Sequence, residues 1–273
     1  MDTNELKPEN ENPIIKENEI IDNFEEESAA PQVEPSFRHP RYHFFLLIIG
    51  ILTLVLGGSA ISATLKALNV SGVLYHSLSN LLIYVLVFGV LTLSIFLFRL
   101  LKPLAKEYTK AKPYIYGVFY GFIIIIASVT YGLFSSLIAP DTTSNINQTS
   151  IEEIILNYPV SSFFWIVIIG PLVEEIIYRL GLFEGLRQKS RIAAYIVSGI
   201  IFGFIHFNIP FTTAGEVDTL QLINEFINVP SYIISGLLFA YTYEKIGFAG
   251  SSVAHITNNL ISFIFTIIRI YAK

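Results

Sequence analysis

From Tyr42 onward, apolar residues come in long runs with few interruptions. Those near 44–65, 80–99, 114–138, 161–187, 191–209, 226–243 and 251–269 reach or approach the roughly 20 residues that a helix needs to cross ~30 Å of hydrocarbon. A chain in lipid must satisfy its own backbone hydrogen bonds, so the runs predict helices. The alternating pattern of a lipid-facing barrel strand is absent. The expected fold class is all-α: a polytopic transmembrane bundle of about seven to eight helices. The eighth would be a re-entrant segment within 141–160 or 209–230.

Charges between the runs orient them. Arg38 and Arg41 precede the first run, and Arg99, Lys102, Lys106, Lys110 and Lys112 separate the second from the third. Arg187, Lys189 and Arg191 follow the fourth, and Lys245 follows the sixth. The alternate loops carry acids instead: Asp141, Glu152 and Glu153, then Glu216 and Asp218, with Lys66 as the exception. The positive-inside rule places the N-terminus in the cytoplasm. Seven spans then put the C-terminus outside, where Arg269 and Lys273 fit poorly.

Composition agrees with a membrane protein: 53% of the 273 residues are hydrophobic and 14% charged, unlike a soluble domain. The net charge of −5 hides a division. Eleven acids and two lysines fall within residues 1–36, against eleven acids and fifteen bases in the rest. Residues 1–40 therefore read as a disordered, acidic cytoplasmic tail, too polar to offset the entropy of ordering. Its apolar pairs Ile14-Ile15 and Ile20-Ile21 leave a partner-binding role open. Residues 41–140 are expected to form N-terminal transmembrane helices, and 141–273 a transmembrane core of their own. The first residues are acidic, without the basic region of a signal peptide. The chain has no cysteine, which excludes disulfides, a thiol nucleophile and thiolate metal ligands.

Polar residues inside the runs carry the candidate chemistry. The fourth run holds Glu174, Glu175 and Arg179; the fifth holds His206; the seventh holds His255, Asn258 and Asn259. Each charge at mid-helix costs about 2.5–3.5 kcal/mol, so three within six residues must face the bundle interior and find partners. Glu175 and Arg179, four apart, share a face and can pair. Glu174 lies about 100° round the helix, without a partner in its own run. Pro171 removes a backbone donor and kinks the helix there. Glu174 and His206 lie on either side of a hairpin turning near residue 189, some 22–26 Å along their helices from it. They therefore meet at similar depth, where a carboxylate and an imidazole can hold a water and take its proton. His255 and Asn259 share a face, with Ser262 beyond, and suit an oxyanion. The structural alternative is that these groups only glue helices together, and Asn258 suits that role. His39, His43 and His76 lie at run edges or in loops and receive no role. Phe202, one turn before His206, reads as a packing residue that orients it. Trp165, Tyr178 and Tyr195 read as interfacial or packing aromatics.

Three motifs among these residues carry a family resemblance. "EEIIYR", "FGFIH" and "HITNN" resemble the Glu-Glu-x-x-x-Arg, Phe-x-x-x-His and His-x-x-x-Asn motifs of the CPBP membrane proteases. That family comprises CAAX proteases and bacteriocin-processing enzymes and is also called the Abi family. The stretch from Ser235 to His255 resembles the family's approach to its last motif, and the similarity covers about residues 160–265. There are two departures: Leu180 stands where the family commonly has Gly directly after the arginine, and Ala240 where it often has Gly.

The resemblance implies an intramembrane endopeptidase without a covalent intermediate. Glu174 and His206 would activate the water, and His255 and Asn259 would form the oxyanion hole. Glu175 and Arg179 would support the site or position substrate. It implies no cofactor; the alternative is zinc held by Glu174, His206 and His255, whose donor types suit an open catalytic metal site. The expected partners are a membrane-associated peptide or protein substrate and membrane lipid, not nucleic acid. The expected location is a bacterial cell membrane, crossed many times. Two other functions compete: a catalytically silent relative serving as an immunity or scaffold protein, and a proton-coupled transporter.

Overall fold

A computed structural model describes residues 40–141, 143–212 and 215–272. The tail read over 1–40 and the unassigned His39 lie outside the described residues, save for Pro40. The described residues form nine helices: α1 (Arg41–Ala67), α2 (Gly72–Leu97), α3 (Leu101–Glu107), α4 (Ala111–Ile138), α5 (Ile146–Asn157), α6 (Pro159–Arg187), α7 (Arg191–Phe204), α8 (Thr219–Ile246) and α9 (Phe248–Tyr271). Among these residues the only β pairing is an isolated bridge between Phe211 and Val217.

Six helices, α1, α2, α4, α6, α8 and α9, are long and apolar enough to cross a membrane, and α7 is a shorter apolar one. The expected all-α transmembrane bundle is therefore what forms. Two boundaries differ from the sequence expectation. The fifth run ends as helix at Phe204, so His206 sits in the turn beyond it rather than inside a span. The sixth begins at Thr219, because Asp218 caps it by accepting from the Gln221 N–H at 3.1 Å. Glu225 is thereby drawn into a helix. Of the two stretches offered for an eighth segment, 141–160 holds α5, whose 12 residues span only ~18 Å, short of a crossing, and 209–230 runs into α8.

Short connections alternate the spans, giving the bundle two ends. At the basic end, Arg191 pairs with Glu244 at 2.8 Å, and Glu107 accepts the Ala249 N–H at 2.9 Å. Gly247, at φ 91°, makes the reversal from α8 into α9, a backbone geometry that suits glycine. At the acidic end, Asn145 caps α5 and Arg269 pairs with Glu152. That ion pair accounts for a cation at the end where the loop charges predict few.

Packing follows small residues. Gly117 and Gly121 face α9 so closely that a Cβ would lie 2.7 Å from Val253 and from Thr257, respectively. Small residues four apart let helix backbones approach where lipid gives no hydrophobic drive. The opposite face of α4 exposes Ile115, Phe119, Phe122, Ile126, Val129, Leu133 and Leu137. Their spacing of three and four makes one apolar stripe suited to lipid.

α6 is wound unusually. Phe163–Ile169 and Glu175–Phe183 are π-helical, and Gly170–Glu174 between them is one α turn. Pro171 offers no N–H to the ladder. A Cβ on Gly170 would lie 2.6 Å from the Trp165 carbonyl, so glycine is needed there. The kink expected at Pro171 takes this form, and π turns are frequent at functional sites.

Candidate functional site

Adjacent on α6, the two glutamates point to different neighbours. Glu175 and Arg179 point into protein and are fully buried, with Nε 3.5 Å from Oε2. Glu175 also accepts from the Ser251 hydroxyl and from His255 Nδ1 at 3.0 Å. Arg179 makes the ion pair without a hydrogen bond from any of its three nitrogens. Its guanidinium instead lies over the rings of Phe202 at 5.0 Å and Phe239 at 5.9 Å. The pairing expected from the spacing forms, with arginine held by ring faces rather than by a carboxylate fork.

Glu174 turns the other way, into a cavity of about 640 Å³. His206, His255 and Asn259 line the same cavity, so all four residues read as catalytic meet there from α6, the turn after α7, and α9. Among the described residues no hydrogen bond joins Glu174 to His206; they share the space rather than touch. Glu174 Oε2 lies 3.8 Å from His255 Nε2, and Oε1 accepts from the Tyr84 hydroxyl at 3.4 Å.

Each ring and amide is oriented by a second contact. His206 Nδ1 donates to the Phe202 carbonyl at 2.9 Å, which leaves Nε2 as an acceptor. The imidazole lies flat on Tyr232, with centroids 4.3 Å apart and planes at 7°. His255 stacks on Phe239 at 4.1 Å. One Asn259 N–H is committed to the Ile166 carbonyl at 2.9 Å, and Asn258 donates to its Oδ1 at 3.0 Å. The second N–H of Asn259 remains for the cavity. Asn258, expected to serve as helix glue, thus lies beside the site and lines the same cavity. Ser262 also lines the cavity.

Phe202 does more than pack. It supplies the carbonyl that fixes His206, and its ring meets Tyr178, His206, His255 and Phe239. Trp165 and Tyr178 prove to be buried cavity-lining aromatics, whereas Tyr195 donates to Glu244 at 2.7 Å, away from the site. His43, set aside as an edge residue, is buried and bonds the Leu180 carbonyl through Nδ1 at 2.5 Å. Gly181, one place later than the family's glycine, is where α6 meets α1: a Cβ there would lie 3.0 Å from the Leu47 nitrogen.

Three contributors escaped sequence reasoning. Tyr84 and Tyr232 are single tyrosines in apolar runs and carry no signal of their own. Glu225 is fully buried and accepts the Ile146 N–H at 2.6 Å and the Asn208 N–H at 3.1 Å. It thereby fastens the start of α5 and the turn after His206 to α8. The Asp218 cap was its signal, because a helix starting at 219 carries an acid into the bundle.

The described residues contain no group of three or more His, Cys, Asp or Glu side chains arranged to hold a metal ion. Of the set weighed for zinc, His255 is taken by Glu175 on one nitrogen, and its other lies 3.8 Å from Glu174. The donors are not gathered into a zinc geometry.

Residues 156–261 match the Type II CAAX prenyl endopeptidase Rce1-like family. The resemblance carried by the three motifs is thus borne out over this stretch, which runs from the end of α5 into α9 and contains every site residue named from sequence. The bundle and the Rce1-like segment together make this a multi-pass membrane protein. A curated relative, the UPF0177 protein YvdC of Lactococcus lactis subsp. lactis (strain IL1403), is 25% identical over 84 residues. That alignment covers 31% of this chain and 32% of YvdC, about a third of the relative's length. No solved structure matches the chain. Tyr84 on α2 lies outside the Rce1-like segment.

Proposed function

We propose that this chain is an intramembrane endopeptidase of the CAAX-protease type, which uses Glu174 and His206 to direct a water at a peptide carbonyl. The observation that carries this reading is the convergence of Glu174, His206, His255 and Asn259 on one cavity within the bundle. The Rce1-like match over 156–261 supports the reaction class.

The contacts suggest a division of labour. A water between Glu174 and His206 finds two acceptors: the carboxylate, and the Nε2 that the Phe202 bond leaves without a proton. Glu174 takes one proton as water oxygen bonds to the carbonyl carbon. The carbonyl oxygen, now an oxyanion, accepts from the free N–H of Asn259. With a proton on each ring nitrogen, His255 donates to Glu175 from Nδ1 and to the same oxyanion from Nε2. The carbon–nitrogen bond then breaks, and the proton on Glu174 passes to the leaving amine. Glu175 holds His255, and Arg179 balances the charge of Glu175.

The substrate on this reading is a peptide or protein held at the membrane, and the setting a bacterial cell membrane. The test is cleavage of a fluorogenic membrane-peptide library by the purified protein in liposomes, beside Glu174→Gln, with and without a strong chelator. Cleavage by wild type alone, unaffected by chelation, is expected. Equal cleavage by both proteins would remove Glu174 from the mechanism, and loss on chelation would restore a metal to it.

A further inference from the structure

The cavity is not centred between the ends of the bundle. At its deep side it stops at Tyr178, Phe202, Phe239 and His255. Between these and the basic end, roughly two turns or more of α6, α7, α8 and α9 remain. That layer is filled by fully buried Phe183 and Ala249 and by buried Glu184, which bonds Arg187 at 2.9 Å and Tyr243 at 3.4 Å. The basic end is sealed.

Toward the acidic end the lining continues through Ser231 and Tyr232 to Asn147 and Gln148 of α5 and Thr266 near the end of α9. Asn147 and Gln148 there are amides and Ser231 and Thr266 hydroxyls, as suits a wet mouth. The length of α7 explains the opening. Its 14 residues rise only ~21 Å, against ~30 Å for a crossing, so the chain turns at His206 below the level reached by its neighbours. α5 and the turn after His206 border the gap, tied by Glu225.

Charge assigns the two ends. The basic end gathers Arg41, Arg99, Lys102, Lys106, Lys110, Lys112, Arg187, Lys189, Arg191 and Lys245. The acidic end has Asp141, Glu152, Glu153, Glu216 and Asp218 against Lys66 and Arg269, the latter already paired with Glu152. In short loops, such a Lys/Arg excess marks the cytoplasmic side.

We infer that the cavity opens away from the cytoplasm, and that its substrates are peptide segments already exported across the membrane and still anchored in it. The substrate class rests on the peptidase reading; the sidedness does not. A protein that meets the membrane only from the cytoplasm, including one carrying a lipid on a cytoplasmic C-terminus, cannot reach Glu174 from the sealed end.

The absence of native cysteine makes the test clean. Single-cysteine variants Asn147→Cys and Ser231→Cys report the mouth, and Lys106→Cys and Lys189→Cys the basic end. Each is treated with a membrane-impermeant maleimide in intact bacterial spheroplasts and after permeabilisation. Labelling of 147 and 231 in intact spheroplasts, with 106 and 189 labelled only after permeabilisation, is expected. The reverse pattern overturns the inference whether or not the protein cleaves anything. In parallel, a membrane-anchored fluorogenic peptide is added to right-side-out and to inverted vesicles containing the wild type. At least tenfold faster cleavage in right-side-out vesicles supports the substrate class, and faster cleavage in inverted vesicles refutes it. No cleavage in either, alongside the expected labelling, refutes the peptidase reading and the substrate class while the sidedness stands.

Discussion

The Arg179 guanidinium donates no hydrogen bond, and replacing the residue by methionine measures how much this buried cation matters. Its ion pair with Glu175 is fully shielded, at 3.5 Å. At an effective dielectric of about 20, attraction at that distance is worth about 5 kcal/mol. The faces of Phe202 and Phe239 add about 1–2 kcal/mol. Desolvation of the guanidinium opposes both by several kcal/mol, so the pair as a whole contributes little net stability. Breaking it from one side is different, because Glu175 then keeps a buried charge with only Ser251 and His255 as support. Arg179→Met should therefore destabilise by about 3–5 kcal/mol, and Glu175→Gln by a similar amount. The double variant should lose less than the sum, with a coupling of about 2–3 kcal/mol. The assay is reversible unfolding of all four proteins in one detergent or bicelle, completed as a double-mutant cycle. Single losses below 1 kcal/mol, or strict additivity, would show that the pair is screened by water and that the dielectric used here is far too low.

Four shorter predictions follow from other contacts. Tyr84→Phe removes a donor from Glu174, at a net value of about 0.5–1.5 kcal/mol; kcat should fall roughly two- to tenfold with KM unchanged, and an unchanged kcat would detach Tyr84 from the site. Gly121→Val drives a side chain into Thr257 and the Ala254 carbonyl, so thermal unfolding should report a loss of about 1–3 kcal/mol or more; a neutral result would mean that α4 and α9 do not pack this closely. Glu225→Ala leaves the Ile146 and Asn208 amides without their acceptor; their hydrogen exchange should accelerate more than that of the α9 core, and uniform exchange would deny the tie. Burial pushes the Glu107 carboxyl above its usual 4.5, against the opposing bonds from the Ala249 and Phe248 amides. The folded state thus holds this proton more tightly than the unfolded one. As pH rises from about 4.5 through the raised value, wild-type stability should fall relative to Glu107→Gln, and parallel melting curves across that window would contradict it.

What the sequence made legible follows the cost of placing groups in lipid. Long apolar helices are dictated by the solvent, so the seven runs sufficed to find α1, α2, α4 and α6 to α9, but not the short α3. Charges there are so expensive that Glu174, Glu175 and Arg179 announce an interior site. Their spacing also announced the buried ion pair, and the step of about 100° between adjacent helical residues left Glu174 for the cavity. Ends were less legible, because a helix stops for local reasons: the Asp218 cap extends α8, and α7 stops short, leaving His206 in a turn. Tyr84, Tyr232 and the Phe202 carbonyl were illegible, since a tyrosine in an apolar run costs little and a carbonyl belongs to every residue. What selects them is distance across the bundle, and no pattern along one helix encodes that. The same reasoning gives the charged loops their value. They were read only to orient helices, yet with the position of the cavity they become an argument about which compartment the site serves. Sidedness is carried by the loops and depth by the helices, and the reading of the mouth needs both.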